Sequence, residues 1–209
     1  MDGGFARWDD SKAHVLSHGL NYGTGVFEGI RCYRTPRGPA IFRLSEHMAR
    51  LLESSRIMKF NAKFTQTSYE KACVQVVKKN NLDECYLRVV MFLGYGGLGL
   101  ESISIPLSTF IAAWPEHDYL GALAASNGIR VKTSAYRRVF ASAGLAGAKI
   151  TGNYFNSMLA KTEARQAGFD EALMLDAQGL VSECAVENIF MVQKGALVTP
   201  TTENALNGI

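Results

Sequence analysis

A lysine set just ahead of a helix can do covalent chemistry, and Lys149 is placed so. The run 148–168, AKITGNYFNSMLAKTEARQAG, carries Lys149, then Gly152-Asn153-Tyr154, then an amphipathic segment. Phe155, Met158, Leu159 and Thr162 recur at helical spacing, and Gly168 stands where a C-terminal cap is expected. Lys149 is therefore expected on a strand end or loop, with Tyr154 five residues on. An amine partly desolvated there has a lowered pKa and can attack a carbonyl to form a Schiff base. A solvated surface lysine has the same sequence appearance, so chemistry alone does not single Lys149 out. Two further charged residues stand in comparable settings: Arg50 in the EHMARL segment and Glu183 in VSECAVENIF. A guanidinium can fork two oxygens of one anion. An exposed helix arginine opposite Met48 and Leu51, and a solvated strand-end glutamate, fit the same positions.

The elements that must hold these residues read as an α+β chain. Residues 3–8 read as a short strand and turn. Asn21-Tyr22-Gly23 is a turn signal leading into TGVFEGIRCYR, a strand with a bulge or close approach at Gly25 and Gly29. Thr35-Pro36-Arg37-Gly38 is a hairpin turn into a strand over 40–43. Ser45 is the expected N-cap of a helix over 46–59, with Met48, Leu51, Leu52 and Met58 inward. Thr67 and Glu70 form a capping box for a helix to Lys79, with Ala72, Cys73, Val76 and Val77 inward. Strands follow over 85–93 and 108–114. The pattern predicts a small domain over 1–120, a linker over 121–128 and a larger domain over 129–209. In the latter, strands over 129–133, 171–176 and 180–182 flank the Lys149 helix. A last hairpin, 189–193 with 196–199, turns at Lys194-Gly195.

Two hundred and nine residues suffice for a sizeable core, and a 47% hydrophobic, 20% charged composition is that of a globular protein. The net charge of +3 is mild and its basic residues are scattered, which argues against nucleic acid or a membrane surface as partner. Anionic small molecules remain open. Cys32, Cys73, Cys85 and Cys184 form no C-x-x-C pair and read as buried free thiols of a reducing compartment, with no metal site. No basic-then-apolar leader pattern and no run of 18 apolar residues occurs, so the cytoplasm is expected.

The runs AKITGNYFNSMLAKTEA, DEALMLDAQGLVSECAVENIF and GALVTP, with VFEGIR upstream, resemble the branched-chain aminotransferases. These are class IV aminotransferases, of fold type IV like the D-amino-acid aminotransferases. The resemblance extends from RWDD to ALNGI and implies pyridoxal 5'-phosphate as cofactor. It implies that Lys149 carries the cofactor, that Arg50 clamps its phosphate, that Glu183 faces the ring nitrogen and that Tyr154 bonds the ring hydroxyl. Glu187 and Asn188 stand behind Glu183, and Leu206, Gly208 and Ile209 are the last matching cofactor contacts. Tyr22, Phe27, Tyr86 and Tyr119 would wall the side-chain site, with Arg88 receiving the distal carboxylate of glutamate or 2-oxoglutarate. The implied reaction transaminates leucine, isoleucine or valine with 2-oxoglutarate. The implied assembly is a homodimer, or a higher homo-oligomer, whose partner lends residues to the site.

The sequence departs from the family pattern twice. Cys184 and Val186 replace two glycines of S-E-G-x-G-E-N, where glycine permits φ > 0 and close approach. Family members also continue past N-G-I with a phosphate-binding threonine and a loop for the substrate's α-carboxylate, so the chain reads as C-terminally truncated. Alternative readings are a D-amino-acid aminotransferase, an aminodeoxychorismate lyase, or a truncated non-catalytic relative.

Overall fold

The computed structural model describes residues 1–101, 104–115, 124–138, 145 and 147–209, with the backbone alone at 125. It divides into two compact units. One comprises Met1–Glu116, Ala148–Gly152 and Ile209; the other comprises His117–Gly147 and Asn153–Gly208. The lysine segment thus groups with the first unit and the helix that follows it with the second.

The first unit is built on an antiparallel sheet, order β2-β1-β3-β4. Its strands are β1 (Gly25–Thr35), β2 (Gly38–Ile41), β3 (Cys85–Leu93) and β4 (Leu107–Trp114). Strand alternation sorts its side chains onto two faces. Val26, Glu28, Ile30 and Cys32 of β1 stand opposite Met91, Val89, Leu87 and Cys85 of β3, and all are buried. This face is covered by α2 (Leu44–Ile57), which packs on β1, and α3 (Gln66–Lys79), which packs on β4 and on α2. Met48 and Leu51 of α2 are fully buried, each contributing about 1.5–3 kcal/mol of apolar transfer. Phe27, Gly29 and Arg31 of β1 oppose Val90, Arg88 and Tyr86 on the other face. The short α1 (His18–Tyr22) precedes β1 and ends at Gly23, in the left-handed conformation.

Neither helix starts at its expected cap. The α2 N-cap is Arg43 at φ 45°, and Ser45 lies inside the helix, its hydroxyl accepting from Gln66 Nε2 at 3.0 Å. For α3 the cap is Thr65, which accepts from the Ser68 N–H at 3.3 Å; Thr67 is already helical. The expected strand over 3–8 is absent. Asp2 instead makes a two-point contact with Thr109 on β4, N–H to carbonyl at 2.8 Å and carboxylate to N–H at 2.7 Å. The β1–β3 register runs unbroken from Gly25 to Cys32, so β1 carries no bulge there. Close approach does occur: a Cβ on Gly29 would overlap the Tyr86 hydroxyl, and one on Gly25 would lie 3.0 Å from Thr151 Oγ1.

The second unit holds α4 (Ala124–Asn127), β5 (Val131–Thr133), α5 (Tyr154–Gln166), β6 (Glu171–Leu175) and β7 (Val181–Cys184). The hairpin of β8 (Met191–Gln193) and β9 (Ala196–Val198) follows. Strand β6 pairs parallel with β5 and antiparallel with β7. The helix α5 lies on β6, yet it does not bury the expected row. Phe155 and Met158 are exposed, and Asn156, Ser157, Ala160 and Ala164 are buried instead. Small residues let the helix axis approach the sheet closely, and Ala160 and Ala164 pack with Ala172, Met174 and Ala185. The predicted stop holds: Gly168 follows the helix at φ +81°. Lys194 at φ 50° and Gly195 at φ 81° supply the two left-handed residues of a tight β8–β9 turn.

Candidate functional site

The lysine segment is held as an addition to the first unit's sheet. Strand β2 pairs only with residues 32–35 of β1, which leaves the earlier half of that edge open. Residues 149–151 fill it. The Phe27 N–H donates to the Lys149 carbonyl at 3.0 Å, and Ile150 bridges Val26. The Lys149 N–H donates to Ser54 Oγ of α2 at 3.0 Å. Thr151 Oγ1 donates to the Gly23 carbonyl at 2.7 Å, and the Gly152 N–H donates to the same oxygen at 3.0 Å. A Cβ on Gly23 would stand 2.7 Å from Gly152 Cα, so these backbones touch only because both residues are glycine. Lys149 is half-buried, and its Nζ lies 5.0 Å from the centre of the Phe27 ring.

Phe27, Tyr86 and Arg88 come together beside it on the face of the sheet away from α2. The Arg88 guanidinium lies over the Phe27 ring at 4.6 Å and the Tyr86 ring at 5.4 Å, and Tyr86 packs against Trp114 at 5.2 Å. Stacking on two aromatics fixes the arginine's plane while keeping its charge. Tyr22 ends α1 and is exposed, with its hydroxyl donating to the Leu98 carbonyl at 2.9 Å. Tyr119 lies outside the described residues.

Arg50 lies on the opposite face. Its Nε donates to Glu28 Oε1 at 2.7 Å and its Nη2 to Oε2 at 2.8 Å, while His47 Nδ1 stands 2.8 Å from Oε2. Glu28 has no exposed side-chain surface. Burial alone would raise its carboxyl pKa. The hydrogen bonds from Arg50 and His47, with the charges of Arg50 and Lys149, outweigh burial and hold it below the usual carboxylate range.

The second unit gathers the other set of predicted residues. Glu183, near the end of β7, is buried. Its Oε1 pairs with the Arg138 guanidinium, and its Oε2 accepts from the Leu206 N–H at 3.2 Å and Asn188 Nδ2 at 3.5 Å. Asn188 Nδ2 also donates to the Leu206 carbonyl at 2.9 Å, and a Cβ on Gly208 would overlap Asn188 Oδ1. The Leu206–Gly208 segment is thereby fixed against Glu183, with glycine required at its tightest point. Arg138 is itself anchored, its Nη1 donating to Ser157 Oγ at 2.8 Å. Glu187 is half-buried, and its carbonyl accepts the Cys184 N–H at 2.8 Å. Burial and the nearby charge of Glu171 raise the Glu187 carboxyl. Neither Cys184 nor Val186 lies at positive φ, so this turn does not need the glycines they replace. Tyr154 opens α5 and is half-buried, while Ile209 groups with the first unit.

Four residues escaped sequence reasoning: Glu28, His47, Trp114 and Arg138. One signal was available. Glu28 interrupts an alternating buried row, Val26, Ile30 and Cys32, where a carboxylate must have partners. His47 and Arg138 carry no comparable mark.

A family model described as amino-transferase class IV matches residues 25–209. The branched-chain-amino-acid aminotransferase of Pseudomonas aeruginosa is 43% identical over 208 residues, which cover 100% of this chain and 68% of that protein. Among solved structures, the crystal structure of the Escherichia coli branched-chain amino acid aminotransferase is similar at TM-score 0.97 and 43% identity, across 100% of this chain and 69% of that one. The branched-chain amino acid aminotransferase of Thermobaculum terrenum, solved in its PLP-form (holo-form), is similar at TM-score 0.88 and 27% identity, covering 100% and 68%.

Proposed function

The chain belongs to the class IV amino-transferases, and from that premise we propose that it transaminates leucine, isoleucine and valine with 2-oxoglutarate, using pyridoxal 5'-phosphate. The observation that carries this reading is identity of 43% along the whole chain to a branched-chain-amino-acid aminotransferase. The relatives reported above do not favour the alternatives, a D-amino-acid aminotransferase or an aminodeoxychorismate lyase.

The residues present fit the cofactor by their chemistry. Lys149 has an amine held at an aromatic face by a backbone fixed on two sides. Glu183 is a buried carboxylate whose oxygens are oriented by Arg138, Asn188 and Leu206. Lys149 would hold the cofactor covalently, with Arg50 at its phosphate, Glu183 at its ring nitrogen and Tyr154 at its ring hydroxyl. Glu187, Asn188, Leu206, Gly208 and Ile209 would support that contact set. When bound, pyridoxal phosphate supplies an electron sink for the carbanion at the substrate's Cα.

With its amine neutral, Lys149 would take the α-proton from the amino acid as general base and return it as general acid. Glu183 would hold a proton at the pyridine nitrogen, because an anion there favours the charged ring. Arg88 receives the distal carboxylate of glutamate or 2-oxoglutarate. Phe27 and Tyr86, with Tyr22 and Tyr119, supply the apolar wall for a branched side chain. We further place the chain in the cytoplasm, as its four described free cysteines suit, and assign it a homodimer.

The test is the visible absorption spectrum of the protein with pyridoxal phosphate, before and after L-leucine, with D-alanine and aminodeoxychorismate in parallel. A lysine-linked band that L-leucine bleaches supports the reading. Lys149→Ala should abolish both the band and turnover. Turnover at the wild-type rate in that variant, or a response to D-alanine alone, would refute it.

A further inference from the structure

Asp176 follows β6 and opens the turn to β7, and its buried side chain makes more bonds than the turn needs. Its Oδ1 accepts the Gln178 N–H at 3.0 Å and the Leu180 N–H at 2.8 Å, while the Asp176 N–H donates to the Leu180 carbonyl at 2.8 Å. Gly179, at φ +86°, completes the reversal. One side-chain oxygen suffices for such a turn, and asparagine or serine supplies it as well as aspartate. The second oxygen leaves the turn altogether: Oδ2 accepts from Asn204 Nδ2 at 2.9 Å. Asn204 begins the segment that runs to Gly208. Its carbonyl accepts the Ser182 hydroxyl, so Asn204 is anchored through both side chain and backbone. Two residues on, the Leu206 N–H donates to Glu183 Oε2 at 3.2 Å, and Ala205 between them is buried. The donors that reach Glu183 Oε2, at 3.2 and 3.5 Å, are longer than the Asp176–Asn204 bond. The segment's place is therefore set at its anchored start rather than at Glu183.

We infer that Asp176 is a positioning residue: by anchoring Asn204 it holds the Leu206 N–H against Glu183 Oε2 and so fixes the direction of that carboxylate. This rests on the reading of Glu183 as the group at the pyridine nitrogen. Ser182 and Glu183 are adjacent on β7, so neighbouring residues of one strand hold Asn204 and Leu206 in step. The Arg138 guanidinium pairs with the other oxygen of Glu183. Loss of the Asn204 anchor would therefore leave Glu183 charged and paired, but less firmly directed. A hydrogen bond between a carboxylate and a ring nitrogen depends on that direction as well as on the charge.

The experiment uses the full chain with Asn204→Asp, which sets one carboxylate against another, and the exchanged pair Asp176→Asn with Asn204→Asp. In the pair, the asparagine Oδ1 still serves the turn and its amide donates to the new carboxylate. Two readouts are taken: amide hydrogen exchange at Leu206 in the protein without cofactor, and dissociation constants for pyridoxal phosphate and for 1-deazapyridoxal phosphate, in which carbon replaces the ring nitrogen. Asn204→Asp should speed Leu206 exchange about tenfold and weaken pyridoxal phosphate about tenfold, the scale of one hydrogen bond to a charged group. The 1-deaza compound offers Glu183 no ring nitrogen, so its affinity should change by about twofold or less. The exchanged pair should return both readouts to their wild-type values. Unchanged Leu206 exchange, equal weakening of the two compounds, or an exchanged pair that restores neither readout overturns the inference. If Asn204→Asp does not fold, Asp176→Ser decides the matter: it keeps one oxygen for the turn, removes the bond to Asn204, and should move both readouts in the same direction. If the wild type binds the two compounds equally well, the reading of Glu183 fails, and Leu206 exchange still tests the anchor on its own.

Discussion

Gly29→Ala isolates the packing that holds Arg88 and Tyr86 in place. Gly29 is not at positive φ, so only space is at issue. A new Cβ would overlap the Tyr86 hydroxyl and stand 2.7 Å from its Cζ, which forces the ring aside. That ring packs on Trp114 at 5.2 Å, a contact of about 0.5–1.5 kcal/mol. It also carries Arg88 at 5.4 Å, a contact of about 0.5–1 kcal/mol. Displacing it should therefore cost about 2 kcal/mol, in the usual range for overpacking. Alanine returns about 0.5 kcal/mol over glycine within a strand. The net expectation is a loss of about 1.5 kcal/mol, or a melting temperature lower by about 3–6 °C at this chain length. In a Tyr86→Ala background the obstruction is gone, and the same substitution should be neutral or stabilising by about 0.5 kcal/mol. Thermal melting of the four proteins of this cycle gives a coupling of about 2 kcal/mol. An equal loss in both backgrounds would refute the steric account. A relocated Arg88 should also raise KM for 2-oxoglutarate more than for leucine.

Two further outcomes follow from buried charge. Arg138→Met leaves the Glu183 carboxylate buried without its guanidinium, and should cost about 3–5 kcal/mol by denaturant unfolding, together with weaker pyridoxal phosphate binding. Glu28 is held below the usual carboxylate range in the fold, so its contribution is present at neutral pH and is lost as acidification passes down through that range and then through its folded value. Glu187 has the opposite sign: raised in the fold, it withdraws stability as pH rises through its folded value. Melting curves against pH should show Glu28→Gln flattening the acid limb and Glu187→Gln stabilising at neutral pH. Unchanged curves would contradict both assignments.

Much of the local order is legible in the residues. Cys85–Leu93, rich in β-branched and aromatic residues, reads as a strand and forms β3 at those bounds, and Lys194-Gly195 turns the last hairpin because glycine takes a left-handed conformation without strain. Lys149, Glu183, Asn188 and Gly208 stand out through the family resemblance rather than through chemistry alone, and the fold brings Glu183, Asn188 and the Leu206–Gly208 segment together. Periodicity failed on α5. Phe155 and Met158 keep helical spacing but face outward, because close packing on β6 selects the small row of Ala160 and Ala164. The α2 cap failed for a similar reason: a positive φ at Arg43 starts the helix, and Ser45 serves Gln66 instead. Glu28 shows the division most clearly. Its sequence position marks a carboxylate in a buried row, but its partners come from a helix 19 and 22 residues away and from a lysine segment more than a hundred residues on. Alternation and spacing are local properties that the chain carries by itself. Which charges share a buried space depends on how strand, helix and lysine segment pack, and only the tertiary structure decides that.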